Sequence, residues 1–266
     1  MLPSRPEAVP TSDLEFLAAI ALVSFVVTYF GTIVGLVLGH LRLALLVAWL
    51  GPVIGAATSL AISSVGALAG AVRHAREGRV ELRLLLSLGA PSAAAAYLTA
   101  TYAPRVDPAL IKLTIAATLI LSGGSMLVKS LRASAPAPAE SPAPPRRRVL
   151  AFEALVGALF GALSGLVGLL LGTLRLPILL RLAATPQAAI GTNMAIGCFT
   201  GLVAGIATLR AGTVDGRAFL VLAPVTVLAA NLGARTTSRL QRRTLELLIA
   251  VILVVTGVVM AVQLRG

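Results

Sequence analysis

Charged side chains are scarce in this sequence. Only 12% of its 266 residues are charged, whereas 58% are hydrophobic, and the mean hydropathy is +0.96. A soluble domain is about 25% charged and about 45–50% apolar. Several apolar stretches reach the roughly 20 residues that a helix needs to cross a bilayer. The composition therefore predicts an all-α integral membrane protein.

Residues that build metal sites and disulfides are also few. The chain has one cysteine, Cys198, and two histidines, so it can form no internal disulfide and offers no Cys/His cluster for a metal. It has no Walker A motif, and no nucleophile, base and orienting group stand at workable positions. We therefore expect neither an enzyme nor a bound cofactor, and any transport would be secondary or channel-like.

Carboxylates are missing from the centres of the apolar runs. All 10 acidic residues fall in loops or at the ends of predicted spans. A carboxylate inside the membrane usually marks a cation or proton path, so this distribution argues against a sodium or metal-ion site. The net charge of +12 lies in arginine-rich loops. Lipid headgroups and the positive-inside rule explain that charge better than nucleic acid does.

The apolar runs predict about eight transmembrane helices, four in each half of the chain. A proline- and alanine-rich linker at 133–148 separates a first membrane repeat, 1–132, from a second, 149–266. In the first half the predicted spans, the third interrupted by Gly89-Ala90-Pro91, are 14–39, 54–72, 84–103 and 109–128. Short apolar pieces at 43–50 and 177–184 are expected to form broken or re-entrant segments.

The two halves resemble each other. Gly39-His-Leu-Arg-Leu43 corresponds to Gly172-Thr-Leu-Arg-Leu176, and Thr58-Ser59 falls at the place of Thr192-Asn193. The shared order of such features predicts an internal duplication. Duplications of this kind are common in secondary transporters, whose binding sites lie at the repeat interface. Four complete crossings per half would make the repeats parallel, and an odd number would invert them.

Glycines recur every three or four residues before each of these motifs. Each one costs about 1 kcal/mol relative to alanine inside a helix. They either line a close helix-packing seam or break the helix so that backbone N–H groups can approach a ligand. The backbone candidates for ligand binding are Gly35, Gly39, Gly168 and Gly172.

An anion at low dielectric needs hydrogen-bond donors. Arg42 and Arg175 stand at equivalent places after the glycines, either as anion ligands or as anchors at the membrane interface. Pro177 is expected in the first turn of a short helix. A coupling proton could travel on the substrate, on Glu153 or on His40. Polar candidates, expected to begin or cap the following segments unless they only bond their own backbone, are Thr58, Ser59, Thr192 and Asn193.

A set of motifs in a fixed order marks the second half of the chain. They are Gly161, Gly165, Gly168 and Gly172, then Pro177, Ala-Ala-Ile-Gly-Thr-Asn at 188–193 and Ala-Gly-Thr-Val-Asp at 211–215. With these motifs the second half resembles the TauE/SafE sulfite exporter family, also called TSUP. The first half matches through Ala-Thr-Ser at 57–59 and Glu-Gly-Arg-Val-Glu at 77–81, with Ala44 where a proline is expected by analogy with Pro177.

This resemblance covers about residues 16–264 and implies a secondary transporter that exports small anions such as sulfite and organosulfonates. Gly191, within the 188–193 motif, joins the candidate substrate-binding residues. An anion-selective channel and a non-transporting scaffold of the same fold are the alternatives. The expected partners are a small anionic substrate and the lipid bilayer of the cell (inner) membrane, without nucleic acid. Assembly into a homo-oligomer stays open.

Overall fold

The structure is a computed structural model that describes residues 11–34, 39–131, 146–235 and 242–262. Every regular element within these ranges is a helix. The all-α prediction is therefore confirmed for the described chain.

The first half begins with three helices, α1 (Thr11–Val34), the short α2 (His40–Leu50) and α3 (Pro52–Arg76). Gly51 separates α2 from α3 with a φ of +80°, a conformation that glycine adopts without steric cost. Pro52 opens α3, where its missing N–H group leaves no hydrogen bond unmade. The short helix therefore folds back directly onto α3.

The third predicted span is one helical rod with three parts, α4 (Leu82–Leu84), a π-helical turn (Leu85–Gly89) and α5 (Ala90–Tyr102). The sequence predicted an interruption at Gly89-Ala90-Pro91, but the helix continues through it. A wider π-helical turn precedes Pro91, and such turns are one way in which helices absorb a local disturbance of the hydrogen-bond ladder. Helix α6 (Pro108–Leu131) completes this half.

The second half repeats the order of long and short helices. Its first helix begins at Arg146, within the range 133–148 assigned to the linker, and residues 133–145 lie outside the described chain. The five helices of this half are α7 (Arg146–Val167), α8 (Gly172–Leu182), α9 (Pro186–Arg210), α10 (Gly216–Arg235) and α11 (Arg242–Val262).

Five stretches of the described chain are long and apolar enough to cross a membrane. They are Pro52–Arg76, Leu82–Arg105, Pro108–Ser125, Arg147–Val167 and Gln187–Arg210. Shorter apolar helices lie at Leu14–Phe30, His40–Leu50 and Gly216–Leu232. These helices agree with a multi-pass membrane protein, and the architecture of two four-helix repeats stays a prediction.

The most extensive helix contacts join one half to the other. Helix α3 packs on α9, α5 on α7, α1 on α10 and α6 on α11. Helices α3 and α9 run antiparallel, because Gly70 lies beside Met194 whereas the earlier Ser64 lies beside the later Gly201. The halves therefore share their packing surfaces, and these two corresponding helices point in opposite directions.

Two glycines of the second half form a seam between α7 and α5. A Cβ added to Gly161 would overlap the backbone carbonyl of Ser92. A Cβ added to Gly165, one turn later, would overlap the carbonyl of Ala96. The close-packing interpretation is therefore confirmed for these two positions, where only glycine lets the helix backbones approach.

Candidate anion-binding site

The chain breaks between α7 and α8 at a glycine. Helix α7 ends at Val167, and Gly168 follows with a φ of +76°. A Cβ at Gly168 would also overlap the carbonyl of Ala56 on α3. Both the positive φ and the overlap with α3 therefore disfavour any side chain at this turn. Helix α8 begins four residues later at Gly172.

Both short helices start inside the protein without a side-chain cap. The residues at their N-caps are Gly39 for α2 and Leu171 for α8, and neither makes a side-chain capping hydrogen bond. Leu171 and the first residue of α2, His40, are both buried. Since the first N–H groups of a helix have no partner within it and carry partial positive charge, each start favours an anion.

Arg42 lies in the first turn of α2 and is 2% exposed. Its Nη2 donates to Ser63 Oγ at 2.6 Å, near the middle of α3, and its Nη1 donates to Thr226 Oγ1 at 3.0 Å on α10. Its Nε has no hydrogen-bond partner among the described residues. A Cβ on Gly39 would stand only 3.0 Å from Nη2. The guanidinium group is therefore enclosed by neutral groups, and its Nε is left without an acceptor among the described residues.

Arg175 occupies the corresponding place in α8 and is 1% exposed. Its Nε donates to Asn193 Oδ1 at 2.9 Å, and its Nη2 donates to the Asn193 carbonyl at 3.1 Å. Asn193 Nδ2 in turn donates to the carbonyl of Gly172 at 3.1 Å. The amide therefore ties the arginine to the beginning of its own short helix.

Neither buried arginine is neutralised within the described chain. The ion pairs found there are Arg73–Glu77, Arg79–Glu77 and Arg83–Glu153. Transferring a charged group from water into a protein interior costs several kcal/mol unless a counter-charge and hydrogen bonds offset it. Burial also excludes the interpretation of Arg42 and Arg175 as anchors at the membrane interface, because an anchor reaches the headgroups.

Further buried polar atoms near the two helix starts lack partners. His40 and Thr173 flank the starts of α2 and α8, and Ser59 lies one turn before Ser63 on α3. Buried polar atoms are normally hydrogen-bonded, so each exception requires an explanation. The unpartnered atoms among the described residues here are His40 Nδ1 and Nε2, Thr173 Oγ1, Ser59 Oγ and Arg42 Nε.

For a carrier, the correspondence between the halves predicts that Thr58 and Thr192 converge around one polar pocket, but each of them instead holds a loop. Thr58 Oγ1 accepts a hydrogen bond of 2.9 Å from the N–H of Asp215, and Thr192 Oγ1 accepts one of 2.9 Å from the N–H of Glu81. Each loop follows the end of the opposite helix of the α3–α9 pair. Because that pair is antiparallel, the two threonines lie at opposite ends of it.

Two predictions about these segments are wrong. Thr58, Ser59, Thr192 and Asn193 do not begin or cap helices, because they lie inside α3 and α9. Pro177 does not stand in a first turn but inside α8, which begins at Gly172. In both cases the helix starts earlier in the sequence than these residues suggested.

The remaining predicted site residues have different surroundings. A Cβ on Gly191 would overlap the carbonyl of Arg79, so this glycine permits packing against the loop before α4. Gly35 lies outside the described residues. The structure thus brings together Gly172, Arg175 and Asn193 in one cluster, and Gly39 with Arg42 in another.

Sequence reasoning missed the partners of Arg42. Ser63 stands four residues after Ser59, on the same face of α3, and this spacing was the available signal. Thr226 lies in the other half of the chain, on α10, where nothing local marks it. A contact between residues so far apart depends on how the helices assemble.

Comparison with known families agrees with this architecture. The family model described as sulfite exporter TauE/SafE matches residues 20–260, which is most of the chain. The chain belongs to the TauE/SafE sulfite exporter family. No individually curated protein and no solved structure gives a match. Membership in this transporter family, together with several apolar helices, makes the chain a multi-pass membrane transporter and agrees with the expectation that it is not an enzyme.

The loop contact of Thr58 gives a stability prediction for this TauE/SafE family member. In Thr58→Val the N–H of the partly buried Asp215 loses its acceptor. An unsatisfied donor costs about 1–3 kcal/mol when it is fully buried, so we expect the lower end of that range here. We expect a lower unfolding midpoint for the purified protein in detergent. Thr101→Val is the control, because the exposed Thr101 bonds only the carbonyl of Tyr97 in its own helix. Equal midpoints for the two variants would contradict the loop-holding role.

Proposed function

We propose that this chain is a secondary transporter that exports a small anion, sulfite or an organosulfonate, across the cell (inner) membrane. The observation that carries the proposal is the pair of buried arginines, Arg42 and Arg175, without a carboxylate partner among the described residues. An anion at the start of each short helix, α2 and α8, would supply the negative charge that its guanidinium group lacks.

The donors around these helix starts suit an oxyanion. Sulfite and sulfonates present three oxygens that each accept hydrogen bonds, and a guanidinium group binds such oxygens through two N–H groups at once. Arg42 has its unused Nε, and the hydroxyls of Ser59 and Thr173 are without partners in the described chain. Uncapped N–H groups at the helix starts add donors of the kind that bind phosphate and sulfate elsewhere.

The arrangement of the helices supports a carrier. Short helices that begin near the centre of a bundle, and corresponding helices that run in opposite directions, are features of transporters built from inverted repeats. Arg42 donates a hydrogen bond to Ser63 of α3, and Arg175 donates one to Asn193 of α9. The antiparallel pair of long helices therefore holds both arginines. In such folds one bundle rocks against the other around a fixed site, and this motion would expose the anion to either side in turn.

The roles within the proposed site follow from the contacts. Arg42 and Arg175 attract the anion, and Gly39 and Gly172 leave room for the arginine and amide groups beside them. Asn193 orients Arg175. Thr58 and Thr192 are removed from the proposed binding set because each holds a loop N–H group and the two lie at opposite ends of the α3–α9 pair.

The proposal is tested by anion binding to the purified protein. A ligand at 100 times its dissociation constant stabilises the folded state by about 2.7 kcal/mol. We expect sulfite or an organosulfonate, in a panel with sulfate, thiosulfate and acetate, to raise the unfolding midpoint. Asn193→Ala should weaken this shift because Arg175 loses its orienting amide. If none of these anions shifts the wild-type midpoint, the anion site is wrong.

A further inference from the structure

The expectation that every acidic residue falls in a loop or at the end of a span is wrong for Glu153, which lies buried within the candidate span Arg147–Val167. Anion binding does not explain this carboxylate. Glu153 lies in α7, is 0% exposed, and accepts a hydrogen bond from Arg83 Nη2 at its Oε1, at 2.5 Å. Its second oxygen, Oε2, is also buried and has no partner among the described residues. A buried carboxylate oxygen without a donor is costly unless the group takes up a proton.

The ion pair connects the interior with the surface. The Arg83 side chain is 50% exposed, whereas the Glu153 side chain is fully buried. The guanidinium group therefore lies at the edge of the packed helices, with the carboxylate on its inner side. An ionisable residue within a membrane-spanning helix is a functional candidate by default, because its burial is expensive.

Glu153 also adjoins the anion site through packing. Val156, one turn after Glu153 on α7, belongs to an apolar cluster that includes Leu176 and Leu179 of α8 and Ile196 of α9. Leu176 follows Arg175 directly, and Ile196 stands one turn after Asn193. The cluster therefore joins α7, next to Glu153, to α8 and α9, the helices that carry Arg175 and its partner Asn193.

The second half of the chain has a carboxylate at this position, and the first half does not. Under the correspondence that aligns Gly39 with Gly172, the counterpart of Glu153 is Ile20. Ile20 is buried in an apolar cluster with Leu46 and Leu222. An apolar side chain thus fills this position well in the other half, so packing alone does not require an acid.

The charges around Glu153 can be named for the described chain. Helices α5, α9, α3 and α6 pack on α7, and the rod that contains α5 brings Arg83 to the carboxylate. No other charged side chain there contacts Glu153. The other titratable side chains at this end of the bundle are Arg73, His74 and Arg76 in the last turn of α3, Glu77, Arg79 and Glu81 in the loop after it, Arg147 and Arg148 on α7, and Arg181 on α8.

We propose that Glu153 is the proton-binding residue that couples anion movement to protons, an inference that rests on the proposed function. A proton from water forms an O–H bond at Oε2, the carboxylate becomes neutral, and Arg83 is released toward water. A monovalent anion, such as hydrogen sulfite or a sulfonate, then adds one negative charge to the proton's positive charge, so the two cross together without net charge. The same O–H bond breaks on the far side, and the ion pair re-forms.

The test uses vesicles that contain the purified full chain, with sulfite and methanesulfonate as probes. Methanesulfonate carries no proton of its own near neutral pH, so any coupled proton must travel on the protein. For wild type we expect a pH gradient, acidic on the side that holds the anion, to drive accumulation on the opposite side at least tenfold above the no-gradient level. Export corresponds to the anion and the proton leaving together down the gradient of the anion. We also expect a membrane potential to have little effect, because the coupled movement is electroneutral.

Glu153→Gln imitates the protonated carboxyl permanently. We expect downhill flux to remain, the response to the pH gradient to disappear, and a response to membrane potential to appear, because the anion now crosses alone. Glu77→Gln is the matched control. Glu77 is exposed beside Arg73 and Arg79, and the hydrogen bond from Arg73 lowers its pKa, so its loss should leave coupling unchanged.

Arg83→Gln is the second variant if Glu153→Gln fails to fold. It keeps the carboxyl group that binds the proton, so the response of flux to the pH gradient should persist. Accumulation that still follows the pH gradient in Glu153→Gln would overturn the inference. So would wild-type flux that ignores the gradient. Absence of flux for both probes would instead overturn the proposed function itself.

Discussion

Replacing Arg42 by glutamine is expected to reduce anion flux by at least tenfold. A hydrogen bond to a charged group contributes about 1.5–3 kcal/mol, and the variant also removes the charge that attracts the anion. Arg42→Lys should fall between wild type and Arg42→Gln, because lysine keeps the charge but lacks the planar fork of donors. The measurement is uptake of sulfite by vesicles that contain each purified variant.

The same variants separate ligand binding from a purely structural role. Arg42 is buried with neutral partners only among the described residues, so Arg42→Gln should unfold no earlier than wild type when no anion is present. It should lose the stabilisation that sulfite gives to wild type. Arg73→Gln is the control, since Arg73 is an exposed arginine in a surface ion pair. Normal flux in Arg42→Gln would contradict the proposed site.

Gly161→Ala is expected to destabilise the fold severely. The added Cβ would overlap the carbonyl of Ser92, and a helix backbone cannot move aside as a flexible side chain can. Overpacking of a core typically costs about 1–3 kcal/mol and occasionally more, and we expect the upper end here. The loss should appear as a lower unfolding midpoint and a reduced yield of monodisperse protein in detergent.

Gly205→Ala is the matched control for that prediction. Gly205 also lies inside a long helix, α9, but a Cβ there would meet no atom within 4 Å. Alanine is better than glycine in a helix by about 1 kcal/mol, so this variant should be as stable as wild type or more stable. A Gly161→Ala protein as stable as Gly205→Ala would show that α7 and α5 are not packed as described.

The prediction of helices succeeded where local sequence decides structure. Glycine and proline end or begin helices through their own backbone preferences, so Gly51-Pro52 marked the α2–α3 boundary correctly. The same reasoning failed at Pro177 and at Pro91, which both lie within helical segments. Tertiary packing can stabilise a helix across a proline, and helix propensity alone does not include that stabilisation.

The candidate site was predicted only in part for a related reason. Arg42, Arg175 and Asn193 carry recognisable polar chemistry in apolar surroundings, so the sequence marked them. The sequence did not show whether these side chains are exposed or buried, because an exposed arginine and a buried one can have the same neighbours in the sequence. The partners Ser63 and Thr226 and the loop contacts of Thr58 depend on helices from both halves.

The sequence by itself determined that this is an all-helical membrane chain of the TauE/SafE pattern, with short apolar segments after glycine-rich helices. Hydropathy and backbone preference are local properties of the chain, so they can be deduced from the sequence before the tertiary structure is known. Only the tertiary structure decided that two arginines are buried without a carboxylate partner in the described chain, and that Glu153 pairs with Arg83 through one oxygen. Burial and pairing are properties of the assembled helices, because the interior that excludes water exists only after they pack.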